Sequence, residues 1–192
     1  MTIGDRFPDV LSAAAEGADW AWAELYRDLS PGLLRFLTSQ GAADPEDCLG
    51  DCFLVFVRQL PAFTGDEAAF RTWAFTIARS RLIDAWRRAQ RRPMRSGEDV
   101  GNAADRLGLA HSAPDSPSGQ REAVDEILAV LTPDQRAVLL LRYLHGFSTA
   151  ETAAIVGKAE GAVRVLQHRA LRTLRRVLPS SLATLRRDEL AC

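Results

Sequence analysis

Long hydrophobic runs are missing from this sequence, and so is any set of paired cysteines. Of the 192 residues 47% are hydrophobic, yet no apolar run approaches the roughly 20 residues that span a bilayer. Asp5 and Arg6 interrupt the N-terminus where a signal peptide needs an apolar core. Three cysteines do not make a disulfide framework. We therefore expect a cytoplasmic protein with no membrane insertion.

The sequence also lacks the patterns of β-strands and of common catalytic sites. No segment alternates between apolar and polar residues as a half-buried strand does. No Ser-His-Asp order, glycine-rich phosphate loop or pair of acids in the setting of a cleft is present. We expect an all-α protein that has no enzyme activity, binds no metal and needs no cofactor.

Cys48 and Cys52 are four residues apart on one predicted helix, so a thiol pair or a metal site is conceivable. No third cysteine or histidine lies near them in sequence, because the histidines are His111, His145 and His168. Cys52 falls on the apolar face of its helix, where cysteine behaves as a small hydrophobic residue. We interpret both cysteines as structural.

Positive charge is concentrated in two blocks. The formal net charge is −1, and residues 1–70 hold 4 basic and 12 acidic side chains. Residues 71–95 hold 8 basic side chains and 1 acidic one, and residues 158–187 hold the same numbers. Two basic blocks in an otherwise acidic chain indicate two contact points on one polyanion. Two solvated helix faces are the alternative interpretation.

A segment rich in proline, glycine and serine divides the chain. Residues 93–120 contain three prolines, four glycines and four serines, with almost no apolar periodicity. Such a composition buries too little surface to offset the entropy of ordering it. It predicts a flexible acidic linker between two small helical domains, residues 20–92 and 121–178. Residues 1–19 and 179–192 are predicted to be terminal tails.

Helical spacing and capping residues organise the first domain. Apolar residues recur at helical spacing from Trp22 to Phe36, and Pro31 suggests a break within that helix. Asp44 and Pro45 form a strong start signal for a second helix. A third helix is predicted over about residues 68–92. Its core-facing residues are expected to be Phe70, Trp73, Ile77 and Leu82.

The second domain contains the most specific local pattern in the chain, "STAETAAIVGKAEGAVRVLQHRALRTLRRVL". Ser148 caps a short helix, Glu151 completes a capping box and Gly157 ends the helix. A longer helix follows from about residue 160, with apolar residues on one side and arginines on the other. This order is that of a helix-turn-helix, whose second helix enters the major groove of DNA.

The two linked domains resemble the extracytoplasmic-function sigma factors, the smallest members of the sigma-70 family. The matching segments of the first domain are "DPEDCLGDCF" and "FTGDEAAFRTWAFTIARSRLIDAWRR"; those of the second are "LTPDQRAVLLLRYLHGFSTAETAAIVG" and "EGAVRVLQHRAL". The resemblance covers about residues 20–92 and 121–178. It implies a subunit that directs core RNA polymerase to promoters. Region 2 would melt and read the −10 element of promoter DNA, and region 4 would read the −35 element.

The resemblance also implies which residues meet the DNA. The expected contacts with the −10 region are Phe63, Phe70, Arg79, Ser80, Arg81, Asp84, Arg87 and Arg88. The expected contacts with the −35 region are Arg164, Val165, His168, Arg169 and Arg172. Trp73 is expected to pack in the core rather than to stack on a base.

Protein partners follow from the same resemblance. The helix around Asp47, Gly50 and Asp51 is similar to the family's docking surface for the β′ coiled coil of core RNA polymerase, and the β subunit is a second expected contact. Gly50 stands where the family pattern has glutamine, so this chain lacks the polar side chain of that position and has a glycine in the middle of the helix, which costs about 1 kcal/mol relative to alanine. Relatives are often held inactive by an anti-sigma factor, so a regulatory partner of that kind is expected.

Two other functions remain open from the sequence. An autonomous helix-turn-helix regulator would need a dimerisation surface or a ligand pocket, and it would leave the first domain unexplained. A regulatory scaffold would bind another protein and carry its basic faces incidentally.

Overall fold

The structure, a computed structural model, describes residues 3–91 and 127–177, and among these residues there is no strand. The helices are α1 (Phe7–Ala15), α2 (Asp19–Ser39), α3 (Pro45–Gln59), α4 (Glu67–Arg91), α5 (Pro133–Leu139), α6 (Thr149–Val156) and α7 (Glu160–Val177). Two 3-10 turns lie at Gly4–Arg6 and Leu60–Ala62, and a π-helical turn at Leu140–Leu144 continues α5. The all-α prediction is confirmed. The predicted linker, residues 93–120, and the predicted tail, residues 179–192, lie outside the described residues.

Side-chain caps fix the start of three helices. Asp44, Thr132 and Ser148 each accept a hydrogen bond from the backbone N–H three residues later. At Thr132 and Ser148 the third residue returns the bond, which completes a capping box. Each cap satisfies backbone donors that the first turn of a helix leaves unpaired. The predicted starts of α3, α5 and α6 are thus confirmed.

Helices α1 to α4 share one core. Its centre consists of fully buried side chains such as Leu25, Leu33 and Phe36 of α2 and Phe56 of α3. Trp73 of α4 packs among aromatic rings, as expected. The centroid of its ring lies 5.2–5.4 Å from those of Phe56, Phe63 and Phe70.

Two features of the first domain differ from the expectation. Residues 7–15, which were assigned to an N-terminal tail, form α1, and Phe7 and Val10 are buried in the core. A helix of nine residues is too short to show a clear helical period in the sequence. Packing of α1 against other helices stabilises it, and such contacts cannot be predicted from the local sequence. Pro31 does not break α2, which runs from Asp19 to Ser39. Pro31 is exposed, and buried residues before and after it anchor the helix on both sides.

The second domain is the predicted helix-turn-helix. Gly157 ends α6 in the left-handed conformation, with φ +66°, which only glycine adopts without strain. Val163 and Ala170 of α7 are fully buried against this domain's core, whereas Val177 at the end of the helix is exposed.

The two domains pack directly on each other in this structure. Helix α6 lies against α4. The ring of Phe75 in α4 lies 5.0 Å from that of Phe147 and 4.8 Å from that of His145, measured between centroids. Arg79 of α4 forms a salt bridge with Asp134 at the start of α5. The hydrophobic core is therefore continuous across both domains.

Candidate nucleic-acid and polymerase interface

The recognition helix α7 presents a complete basic face. Arg164, Val165, His168, Arg169 and Arg172, the residues expected to meet the −35 element, are all exposed. They project from the side opposite the buried residues of the helix. Its only acid, Glu160, accepts a hydrogen bond from Arg164 at 3.1 Å. This face offers guanidinium groups that can bind guanine edges and phosphates.

Some of the expected DNA contacts on helix α4 are exposed to solvent, and others are buried in the core. Ser80 is exposed, and the side chains of Arg87 and Arg88 are 64% and 66% exposed. Asp84 lies 3.8 Å from Arg87 and moderates its charge. Arg81 is half-buried. The C-terminal half of α4 is thus the part of the helix that can meet a phosphate backbone as the structure stands.

Two members of the same set are buried. Phe70 is 2% exposed, and its ring packs against those of Phe7, Phe63 and Trp73. It supports the turn before α4 and has no open face for a base in this arrangement. Arg79 is 6% exposed, and its guanidinium is held by Asp134 of the other domain. A DNA contact through Arg79 therefore requires the domains to move apart.

The turn before α4 is fixed from two sides. Asp66 accepts a hydrogen bond from the backbone N–H of Ala69 at 2.8 Å. The backbone N–H groups of Ile3 and Gly4 donate to the Glu67 carboxylate at 2.7 and 3.0 Å. A cavity of about 620 Å³ lies between α1 and this turn, and half-buried Phe63 lines it. The N-terminal residues thus help to hold the loop that the resemblance places near the −10 element.

The docking candidates lie on the solvent side of α3. Asp47 and Gly50 are exposed, and the Asp51 side chain is 37% exposed. One turn further along, Leu54 is 60% exposed, and Val57 is 53% exposed. Neither residue is among the docking candidates predicted from the sequence. Leu54 lies at helical spacing from Asp47, Gly50 and Asp51, which was the available signal.

The polymerase and DNA candidates adjoin each other on the first domain. Arg88 of α4 lies 3.7 Å from Asp51 of α3. Residues expected to serve two different partners therefore share one edge of the domain. A protein docked on α3 would lie beside DNA held along the end of α4.

Asp134 and His145, which both lie at the contact between the two domains, have shifted pKa values. Burial alone would raise the pKa of Asp134, but hydrogen bonds and charge from Lys158 and Arg79 outweigh it and lower that pKa. Burial, aided by the positive charges of Arg35 and Arg71, lowers the pKa of His145 to about 4. His145 is therefore neutral at physiological pH, and Asp134 is ionised.

Cys48 and Cys52 are both buried. For Cys52 this agrees with its predicted place on the apolar face of the helix. The Cys52 thiol donates a hydrogen bond to Cys48, which lowers the pKa of Cys48 and raises that of Cys52. Within residues 3–91 and 127–177, no group of three or more potential metal-binding side chains occurs. None of the helices in these two ranges combines the length and the hydrophobicity that a membrane-spanning helix needs.

Comparisons with known proteins match both domains. The family models for sigma-70 region 2 and sigma-70 region 4 match residues 23–92 and 121–174. The chain is 35% identical over 173 residues to the ECF RNA polymerase sigma factor SigL of Mycobacterium tuberculosis, covering 87% of this chain and 93% of SigL. It is 33% identical over 178 residues to the ECF RNA polymerase sigma factor BldN of Streptomyces coelicolor, covering 91% of this chain and 66% of BldN.

A solved structure shares the fold. The sigma factor RpoE of Bartonella quintana, in complex with the anti-sigma factor NepR, superposes with a TM-score of 0.63 at 22% identity, over 81% of this chain and 94% of that one. The helices found here are thus arranged as in a known sigma factor. With both family models matched in order, and with SigL similar over nearly its full length, the chain belongs to the extracytoplasmic-function sigma factors of RNA polymerase.

Proposed function

We propose that this protein joins core RNA polymerase through α3 and directs it to a specific set of promoters. The turn at Phe63 and the C-terminal half of α4 contact and help to melt the −10 element, and α7 reads the −35 element. The observation that carries this proposal is the recognition helix, on which every residue expected at the −35 element is exposed on one face.

The chemistry of each surface suits its task. Strand opening needs cations for the phosphates, and Arg87 and Arg88 supply them beyond the end of the buried part of α4. Sequence reading in the major groove needs side chains that match base edges, and Arg164 and Arg169 can do so. The family's docking position on α3 combines the two carboxylates of Asp47 and Asp51 with exposed Leu54, a mixture suited to a partner helix.

The remaining roles follow from the family. The β′ coiled coil is the partner that we assign to α3, and the β subunit is the partner of the second domain. A regulator of the anti-sigma type fits this chain, as NepR does RpoE in the solved complex. Such a protein acts on the chromosome in the cytoplasm and catalyses no reaction of its own.

Run-off transcription tests the proposal. Core polymerase is incubated with genomic promoter DNA, with and without the full-length protein. We expect new transcripts with discrete start sites only when the protein is present. An autonomous helix-turn-helix regulator would bind DNA without conferring initiation on core polymerase, so binding without new start sites would refute the proposal.

A further inference from the structure

Val165 is an apolar residue in the middle of the basic face of α7. It is 49% exposed and lies on the side of the helix opposite the buried residues Val163 and Ala170. His168 and Arg169 follow it on the same face, one helical turn later, and both are exposed. Single exposed apolar residues are common on protein surfaces. What distinguishes Val165 is therefore its place among basic residues that are expected to meet DNA.

The fold does not require valine at this position. Valine has a lower helix propensity than alanine, leucine or arginine, because its branched Cβ restricts the side chain within a helix. At a buried position, packing outweighs this cost. Val165, in contrast, lies outside the hydrophobic core of the described residues and outside the half-buried residues that surround that core. Neither propensity nor packing accounts for the valine.

The helix surface before Val165 is open to a close approach. Gly161 and Ala162 lie one turn earlier on the same face, and both are exposed. A Cβ atom added at Gly161 would meet nothing within 4 Å. Residues with so little side chain let another molecule come near the backbone. Val165 itself lies in the second turn of α7, which begins at Glu160, and the first turns of a recognition helix are the ones that reach base edges.

The chemistry of the major groove determines which base a valine can select. Each base pair presents its own pattern of hydrogen-bond donors and acceptors there, and thymine alone adds an apolar group, the methyl at C5. The side chain of valine neither donates nor accepts a hydrogen bond. It gains from a base edge only by covering apolar surface and so removing that surface from water. Thymine is therefore the base that fits Val165.

We propose that Val165 is a specificity-determining residue, which selects one thymine of the −35 element by packing against its 5-methyl group. Arg164 and Arg169, which are exposed beside it, supply the hydrogen bonds to guanine edges and phosphates. This inference rests on the proposed function, because it needs α7 to lie in the major groove at the −35 element. It adds a base preference to that function: the promoters of this protein carry a thymine where α7 enters the groove.

The test measures binding of reconstituted holoenzyme to a promoter located by mapping run-off start sites. Each thymine of the −35 element is replaced in turn by deoxyuridine, which pairs with adenine as thymine does and lacks only the 5-methyl group. We expect one of these replacements to weaken wild-type binding about fourfold, which is the effect of burying one hydrocarbon group of this size. Holoenzyme with Val165→Ala should bind the thymine and deoxyuridine forms of that promoter equally well.

Controls separate the methyl contact from a general loss of affinity. Val177→Ala makes the same change at an equally exposed valine, 49%, in the last turn of the same helix, and should keep the fourfold preference for thymine. Arg164→Ala should weaken binding to both DNAs and leave the ratio between them unchanged. Val165→Thr keeps one of the two methyl groups and should retain part of the preference. Circular dichroism shows whether each variant is folded.

Wild-type binding that does not respond to deoxyuridine at any position would overturn the inference, as would a −35 element without thymine. A preference for thymine that persists in Val165→Ala would also overturn it, because another residue would then contact the methyl group. Wild-type run-off transcription distinguishes the two levels of failure. If the wild type initiates from discrete start sites but ignores the methyl groups, only the role of Val165 is wrong. If the wild type does not initiate at all, the proposed function is wrong.

Discussion

Arg88 and Arg164 are both exposed, but their surroundings differ, and we expect them to have different tasks. Arg88 lies beside Asp51 at the edge shared with the docking helix α3, where it can meet the phosphates of melted DNA. Arg164 lies on the exposed face of α7, close to the N-terminus of the recognition helix, where side chains reach base edges. One arginine is expected to add affinity for any sequence and the other to discriminate between sequences.

The two arginines should therefore respond differently to truncation. Arg164→Ala should weaken binding of reconstituted holoenzyme to its cognate promoter by about 1–3 kcal/mol more than to DNA with a scrambled −35 element. Arg88→Ala should weaken binding to both DNAs alike and reduce the salt slope by about one. The measurement is a binding titration on both DNAs at several salt concentrations.

Arg175→Ala is the matched control for Arg164, since it is an exposed arginine three turns further along the same helix. It should not change the preference for the cognate −35 element. Equal losses on cognate and scrambled DNA for Arg164→Ala would make that residue a phosphate contact.

Burial of His145 makes the free energy of unfolding depend on pH. Its pKa is lowered from 6.5 to about 4, so between these values the unfolded chain binds a proton that the folded chain excludes. The positive charges that act on it are Arg35 on α2 and Arg71 on α4. A cavity beside His145 is also lined by the acids Asp66, Glu67 and Glu151. The free energy of unfolding should therefore fall as the pH drops from about 6.5 to about 4.

Thermal unfolding of the wild type and of His145→Leu at pH 4.5 and pH 7.5 measures this effect. The wild type should lose more of its melting temperature on acidification than the variant does. The lowered pKa of Asp134 also costs stability in acid, but only at lower pH and equally in both proteins. Identical losses in the two proteins would show that His145 is not the responsible group.

The turn of the helix-turn-helix requires glycine at position 157, whereas the following helix can accept a larger residue at position 161. Gly157 has φ +66°, whereas Gly161 lies within α7 with open space where a Cβ would be. Gly157→Ala should lower the free energy of unfolding by about 1 kcal/mol or more, because an L residue is strained there. Gly161→Ala should leave it unchanged or raise it by up to about 1 kcal/mol. Urea denaturation of both variants checks this, and equal effects would contradict the assigned turn.

Helix α3 departs from the family pattern at Gly50, where the family has glutamine. Gly50 is exposed in the middle of α3, and a Cβ there would meet nothing within 4 Å. Gly50→Gln should stabilise α3 by roughly 1 kcal/mol and add the polar group that the family pattern has at this position. Gly50→Ala stabilises the helix without that polar group and is the control. Tighter binding of core polymerase by the glutamine variant alone would assign a direct contact, and equal binding by all three proteins would remove Gly50 from the docking surface.

The starts of α3, α5 and α6 could be read from the sequence because a cap is a local interaction. Asp44, Thr132 and Ser148 bond to backbone groups only three residues away. Helix α1 and the continuity of α2 through Pro31 could not, because both depend on packing against other elements. Phe7 owes its burial to contacts such as that with Phe70, 63 positions later, at 5.4 Å between ring centroids.

For the molecule as a whole, the contact between the two domains was the feature that could least be predicted from the sequence. The charge blocks predicted two basic surfaces, and the exposed residues of α7 and of the end of α4 are consistent with them. The pairing of Arg79 with Asp134, 55 positions away, could not be predicted from the sequence, since a salt bridge between separate domains leaves no periodic pattern. The predicted −10 set therefore mixes exposed residues with buried ones.

We propose that the two domains on one chain select promoters jointly. Mapping the 5′ ends of transcripts made from genomic DNA by core polymerase, with and without this protein, tests this directly. We expect start sites that appear only with the protein and share two upstream motifs at a fixed spacing, one near −10 and one near −35. Start sites that share a single motif, or none that depend on the protein, would contradict it.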